Sequence, residues 1–118
     1  MKIFLIILLA IVSVPSCVQK AYKKTAVITL SVPNIKNIKS VVIRGDGKPL
    51  SWDSDFEMKE VIKDSLYSAT INCVTGYKFA EVKFTVNGDF EMKNKPNRRI
   101  EFNNKDTIYY NAVFDSNK

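Results

Sequence analysis

"AEVKFTVNGDFE", residues 80–91, is the stretch that most clearly indicates how this chain folds. Apolar side chains occupy every second position from 82 to 86, with charged or hydroxyl side chains between them. This is the period of a β-strand that buries one face. Asn87-Gly88 follows at once, and this dipeptide favours the positive φ angles of a two-residue hairpin turn. The stretch therefore predicts a β-hairpin with Asp89–Glu91 as its short return arm.

The two-residue period recurs along the chain, whereas helical periodicity does not. Clusters of glycine, proline and asparagine, which are typical of turns, separate the alternating segments. The length of 118 residues fits a single domain. Seven or eight short strands at this spacing predict an all-β fold, an antiparallel immunoglobulin-like β-sandwich. The predicted strands cover residues 25–32, 40–45, 56–62, 66–74, 80–88, 98–103 and 107–114.

The composition limits the chemistry available to this protein. Hydrophobic residues make up 46% of the chain and charged residues 25%, which is typical of a globular protein. The chain has no histidine, so it lacks the usual general base, zinc ligand and partner of a nucleophilic serine or cysteine. Carboxylate pairs such as Asp53 with Asp55 are present, but a domain of this size leaves little room for the cleft of a glycoside hydrolase. We therefore expect a protein that is not an enzyme and that uses no metal or cofactor.

"MKIFLIILLAIVSVPSC", residues 1–17, has the organisation of an export signal. Lys2 precedes an apolar run from Ile3 to Val12, which match the charged and hydrophobic parts of a secretory signal peptide. The end of the segment resembles the signal of bacterial lipoproteins, in which small residues precede a cysteine that is acylated. The resemblance implies a signal peptide over 1–16 and a lipid on Cys17, which anchors the exported protein to a membrane of the bacterial cell envelope. An ordinary secretory signal and an uncleaved helical anchor are the alternatives.

Residues 17–24 are expected to form the lipidated cysteine and a tether, and residues 25–118 the folded domain. The tether carries three lysines, Lys20, Lys23 and Lys24. These ammonium groups would lie either against anionic lipid headgroups or in solvent.

The second cysteine, Cys73, falls on the apolar side of the predicted strand over 66–74. A thiol at such a position behaves as a small hydrophobic side chain, so we expect Cys73 to be buried and free. The alternative is a disulfide with Cys17, which requires that Cys17 carries no lipid.

Trp52, the only tryptophan, lies in the turn-rich stretch "PLSWDSDF", residues 49–56. The alternating strands already supply enough apolar side chains for a core, and a second aromatic residue, Phe90, lies at a tight turn. Exposed rings beside polar groups suit sugar recognition, because the C–H face of a pyranose packs on the ring while its hydroxyls meet polar side chains. The alternative is that Trp52 and Phe90 are packing residues of the sandwich.

Two longer stretches carry a family resemblance: "SVVIRGDGKPLSWD", residues 40–53, and "VKFTVNGDFEMKNKPNR", residues 82–98. Together they resemble the starch-binding domain of amylases and glucoamylases, carbohydrate-binding module family 20, and the related glycogen-binding modules. The matching motifs are "VVIRGD", "LSWD", "EVKF", "FE" and "PNR", in the order that the family has them. The resemblance covers residues 25–115.

The resemblance implies an α-glucan site in which two aromatic rings clasp neighbouring glucose units and polar side chains hold the hydroxyls. Phe90 stands where the family has a tryptophan, which gives a smaller ring and no indole N–H. The loop aromatics of the family's second site have no match. Carried over position by position, the implied contacts are Trp52, Lys83, Phe90, Glu91 and Asn97.

The sequence thus predicts a non-catalytic, membrane-anchored module that binds an α-glucan of the starch or glycogen type, or a similar polysaccharide, for separate envelope enzymes or transporters. The main alternative is a structural or protein-interaction lipoprotein that keeps the fold without binding sugar. "RGD" at 44–46 matches an integrin-binding tripeptide but lies where a strand meets a turn. "KNKPNRR" at 93–99 is basic, yet a solvated loop accounts for it, and no nucleic-acid partner is expected.

Overall fold

The computed structural model describes residues 22–76 and 78–116. The predicted signal peptide, Cys17 and Lys20 lie outside these residues. The described chain forms nine β-strands and no helix. The strands are β1 (Tyr22–Ser31), β2 (Val41–Gly45), β3 (Phe56–Glu57), β4 (Lys59–Ile62), β5 (Leu66–Thr75), β6 (Phe79–Val86), β7 (Asp89–Phe90), β8 (Arg98–Glu101) and β9 (Thr107–Val113).

The strands form two sheets, which confirms the predicted all-β sandwich. The first sheet has the order β4-β5-β1-β9, and the second has the order β3-β2-β6, with β7 and β8 both paired to the remaining edge of β6. All pairs are antiparallel except β1 with β9, which run parallel. Side-chain alternation is the same in both kinds of pair, so the sequence pattern does not reveal this exception.

The chain core consists of the inward positions that the alternation predicts. On β6, Val82, Phe84 and Val86 are buried, and Phe84 has no exposed surface. The inward side of β5 is buried up to Ile71, and Cys73 is a half-buried free thiol packed against the core. Burial raises the pKa of Cys73, because the thiolate is poorly solvated there.

Strand β1 begins three residues earlier than predicted, at Tyr22, and Tyr22–Lys24 pair with the end of β5. Lys24 is buried, and its Nζ donates a hydrogen bond of 2.8 Å to the carbonyl oxygen of Lys105. Tyr22–Lys24 therefore belong to the sandwich and not to the tether, because β5 extends far enough to pair with them.

The segment over 56–62 was predicted as one strand, but it divides into β3 and β4. Strand β3 pairs with β2 in the second sheet, and β4 pairs with β5 in the first. The chain changes sheets at Met58, whose side chain is buried between them. Inward and outward positions can still alternate in a short segment that passes from one sheet to the other. The sequence pattern alone therefore predicts a single continuous strand.

The predicted hairpin at Asn87-Gly88 is confirmed. The φ angles of Asn87 and Gly88 are 50° and 85°, and Val86 pairs with Asp89 across the turn. The Asn87 Oδ1 accepts hydrogen bonds from the backbone N–H groups of Lys39 and Ser40, at 2.7 and 3.2 Å. The turn is thereby fixed to the chain that enters β2, and it presents Phe90 on β7.

Candidate functional site

The loop between β2 and β3, residues 46–55, carries Trp52 and is held close to the second sheet. A Cβ atom on Gly45 would lie 2.6 Å from the carbonyl oxygen of Glu81, so only glycine permits this approach. The N–H of Asp46 donates to the same oxygen at 3.0 Å. Leu50 is buried in the core and anchors the middle of the loop. These contacts fix the loop that presents Trp52.

Trp52 is half-buried at the edge of the sandwich and is not one of the buried core residues. Its indole Nε1–H donates a hydrogen bond of 2.7 Å to the Asp46 Oδ1. Its backbone carbonyl oxygen accepts a bond of 2.8 Å from Arg44 Nη1. The indole N–H is therefore already bonded within the protein, and the partly exposed ring is what Trp52 offers to a ligand.

Arg44 contacts both aromatic residues that the sequence singled out, Trp52 through its backbone carbonyl and Phe90 through its ring. It projects from the outward side of β2, and its Nε and Nη2 both donate to Asp55 Oδ1, at 3.0 and 2.8 Å. Its guanidinium carbon lies 5.7 Å from the centre of the Phe90 ring, within the range of a cation–π contact. Arg44 is not among the contacts that the resemblance implies, although the inward positions of Val41 and Ile43 already place Arg44 outward.

Phe90 is presented on the outward side of the second sheet. It lies opposite Thr85, which is an outward position of β6, and 38% of its surface is exposed. It also lines a shallow cleft of about 360 Å³ together with Lys93 and Asp115. Phe90 is thus a partly exposed aromatic residue on this side of the sheet.

Lys83 and Asn97 extend the same surface across β6. Lys83 is directly opposite Arg44, and its Nζ donates a hydrogen bond of 3.0 Å to the carbonyl oxygen of Lys95. Asn97 is exposed and directly precedes Arg98, the residue that pairs with Val82. Continuing this register places Asn97 next to Lys83.

The expectation that Glu91 contacts a ligand is wrong. Its side chain has no exposed surface, and it forms an ion pair with Arg98, whose Nε lies 2.7 Å from Glu91 Oε2. Glu91 also accepts the backbone N–H groups of Phe84 and Asp115, each at 3.1 Å. Because the carboxylate is enclosed and its oxygens are bonded, it is not available at the surface.

The partner of Glu91 is equally enclosed. Arg98 Nη2 donates to the carbonyl oxygens of Val113 and Ser116, at 2.7 and 2.6 Å. Burial lowers the pKa of Arg98, but the hydrogen bonds and electrostatic interactions with Glu91 and Tyr110 together outweigh this effect and raise the pKa above its ordinary value. This buried pair joins β7, β8 and the end of β9. Period-two alternation from the outward Phe90 already places Glu91 inward, and that signal was available in the sequence.

The side chains that remain at the surface can stack on and hydrogen-bond a hydroxylated ligand. Trp52 and Phe90 supply partly exposed rings, and the cations between them supply donors. Asn97 supplies both a donor and an acceptor. Within the described residues, no cluster of acidic or cysteine side chains could hold a metal ion.

Comparisons of the sequence with protein-family models and with curated proteins find no match to this chain. The part of the chain that the structure describes has no helix with the length and apolar character needed to cross a bilayer. The observations from which a function can be argued are therefore the fold, the contacts of Arg44 with the Trp52 carbonyl and the Phe90 ring, and the strand register that sets Lys83 beside Arg44 and Asn97 beside Lys83.

Proposed function

We propose that this protein is a non-catalytic, membrane-anchored module that binds an α-glucan of the starch or glycogen type, or a similar polysaccharide. One observation carries the proposal: the guanidinium of Arg44 contacts both the backbone carbonyl of Trp52, in the loop between β2 and β3, and the ring of Phe90, on β7. Neither ring is part of the buried core. Arg44 thus links two partly exposed aromatic residues that lie outside a core already filled by other side chains.

In the proposed complex, the C–H faces of two sugar units pack on the rings of Trp52 and Phe90. Arg44, Lys83 and Asn97 donate hydrogen bonds to sugar hydroxyls. The indole N–H of Trp52 stays with Asp46, so stacking is the main contribution of this residue. Lys83 keeps further N–H donors after its bond to Lys95, because an ammonium group carries three.

The proposed anchor is the acyl chain on Cys17. Only residues 18–21 separate Cys17 from Tyr22, where β1 begins. Fully extended, the five Cα–Cα steps from Cys17 to Tyr22 span at most about 18 Å. The glucan would therefore be held close to the membrane, within reach of separate envelope enzymes or transporters.

The proposal is tested by electrophoresis of the purified full-length protein, in mild detergent, through native gels containing glycogen. We expect glycogen to retard the wild-type protein and the Trp52→Ala variant to migrate freely. Because Trp52 is half-buried and outside the core, the melting temperature of the Trp52→Ala variant should differ little from that of the wild type. Unfolding of Trp52→Ala would instead identify Trp52 as a packing residue.

The Phe90→Ala variant has a matched control in Phe79→Ala. Both rings are 38% exposed, and both contact an arginine, since the guanidinium of Arg99 lies 3.9 Å from the centre of the Phe79 ring. Phe90→Ala should reduce retardation, and Phe79→Ala should leave it unchanged. Equal effects of the two variants would count against the site, and no retardation of the wild type would favour a structural or protein-interaction role.

A further inference from the structure

The outward side of the first sheet carries an ordered array of uncharged polar side chains. It is built on β1, the central strand, at Thr25, Val27 and Thr29. Each of these residues has one register partner on β5 and one on β9. We call these nine positions the uncharged face.

The uncharged face consists of three rows that cross the sheet. In the first row, Thr25 lies between Asn72 and Thr107. In the second, Val27 lies between Thr70 and Tyr109. In the third, Thr29 lies between Ser68 and Asn111. Eight of the nine side chains therefore carry a hydroxyl or amide group, and none carries a charge.

The absence of charge is unusual for this chain, because charged residues make up 25% of it. Outward positions of the second sheet include Arg44, Glu81 and Lys83. On the first sheet, the charged residues of the same side lie at the margins of the nine positions. They are Lys23, near the start of β1, and Lys59 on β4, which continues the third row beyond Ser68.

Tyr109 stands at the end of the middle row and is 76% exposed. An aromatic side chain on a strand normally stabilises the fold by being buried, whereas little of the Tyr109 side chain is buried. Its register partner on β1 is Val27, the one apolar aliphatic residue of the nine positions. The result is a small apolar area surrounded by hydroxyl and amide groups, which is the chemical character of a surface that recognises sugars.

The array is also held in place. β1 is paired along both of its edges, so the middle of each row cannot shift against its neighbours. The Thr25 hydroxyl donates a hydrogen bond of 2.9 Å to Asn72 Oδ1. Neighbouring strands lie about 4.8 Å apart and successive outward residues about 6.8 Å apart along a strand, so the polar groups repeat on a regular grid.

We propose that the uncharged face is a second polysaccharide-contact surface, which binds a neutral glycan presented as an ordered solid. A charged polymer or a lipid headgroup finds no opposite charge on these rows. A second copy of the chain would bury eight side chains with hydroxyl or amide groups, and each such group left without a hydrogen-bond partner costs free energy. A neutral hydroxylated surface matches both the hydroxyl grid and the exposed ring. The Trp52 site lies on the second sheet, so this proposal does not depend on it.

The test measures how the full-length protein, in mild detergent, partitions onto insoluble starch granules. We expect the wild type to bind, and Thr70→Lys and Tyr109→Ala each to lower the partition constant about tenfold. Ser40→Lys adds the same charge at an exposed position before β2, outside the uncharged face, and should behave as the wild type. Trp52→Ala should lose retardation by glycogen in the native gel but should not show the tenfold lower granule binding expected of Thr70→Lys.

Granule binding by Thr70→Lys and Tyr109→Ala at the wild-type level would overturn the proposal, and so would a wild-type protein that stays in solution. Size-exclusion chromatography provides a second test of the proposal. A wild-type dimer that Thr70→Lys converts to a monomer would contradict it, because a second copy of the chain would then cover the uncharged face. Melting curves verify that the variants fold. Asn111→Lys, in the third row, replaces Thr70→Lys should that variant be unstable.

Discussion

At the scale of single residues, the site is organised by an arginine and not by the carboxylate that the resemblance implied. Arg44 bonds the loop at the Trp52 carbonyl and at Asp55, and it contacts the ring of Phe90. Glu91 is enclosed with Arg98 instead. In the motif "FE", Phe90 therefore lies at the surface and Glu91 in the interior, since neighbouring residues of a strand point to opposite sides.

Arg44→Lys tests the positioning role of Arg44. Lysine keeps the charge but cannot bond Trp52 and Asp55 together, because the planar fork of five donors is lost. We expect about tenfold weaker glycogen binding in the native gel, the change that corresponds to about 1.4 kcal/mol. Lys83→Arg, the reverse exchange on the neighbouring strand, should weaken binding less. An Arg44→Lys variant with wild-type retardation would show that only the charge matters.

Glu91→Gln tests the structural role of the buried ion pair. Removing one partner of such a pair leaves an uncompensated charge in the interior, so the free energy of unfolding should fall by about 3–5 kcal/mol. Glu57→Gln, at an exposed position of β3, should change it by less than about 0.5 kcal/mol. Urea unfolding measures both. A fully stable Glu91→Gln that binds glycogen weakly would return Glu91 to the ligand site.

At the scale of elements, local patterns could be predicted and long-range pairings could not. The strand over 80–88 and the Asn87-Gly88 turn could be predicted from the sequence, because both depend only on residues that are close together in the chain. The parallel pairing of β1 with β9, and the change of sheets at Met58, depend on partners distant in sequence. The uncharged face depends on the register of three strands, so it becomes visible only when they are aligned.

The same division applies to the candidate site. The aromatic residues of turns, Trp52 and Phe90, could be found from their unusual positions in the sequence. Asp46 and Asp55, which hold Trp52 and Arg44, could not, because a loop of ten residues has no period from which contacts follow.

Gly88→Ala tests the hairpin that presents Phe90. No atom lies within 4 Å of an added Cβ, so any cost comes from the φ angle of 85°. We expect the free energy of unfolding to fall by about 1–2 kcal/mol. Gly88→Asn is the matched control and should cost less, since asparagine tolerates this conformation. Equal costs for the two variants would argue against the turn geometry.

At the scale of the whole molecule, the two sheets present different surfaces. The second sheet carries aromatic rings and cations, and the first carries the uncharged face. Burial of the inward sides holds the two sheets together, so variants on one outward surface should leave the other unchanged. This independence is what allows the two proposed surfaces to be tested separately.

The proposed anchor is tested on the intact chain in a bacterial host. Replacing Cys17 by serine removes the only atom that could carry the lipid in the proposed signal, so the protein should leave the membrane fraction. Cys73→Ser is the control, because its half-buried thiol is packed against the core, and it should remain with the membrane. Fractionation followed by immunoblotting measures the distribution. Retention of Cys17→Ser in the membrane would favour an uncleaved helical anchor.

The central claim is that Trp52 contacts the sugar, and the chain offers a direct probe because Trp52 is its only tryptophan. Indole fluorescence of the full-length protein therefore reports on this one ring. Titration with a linear oligosaccharide of α-linked glucose should change the emission along a saturable curve, and Phe90→Ala should shift that curve to higher concentration. Binding observed by calorimetry with no change in the emission of Trp52 would contradict the account.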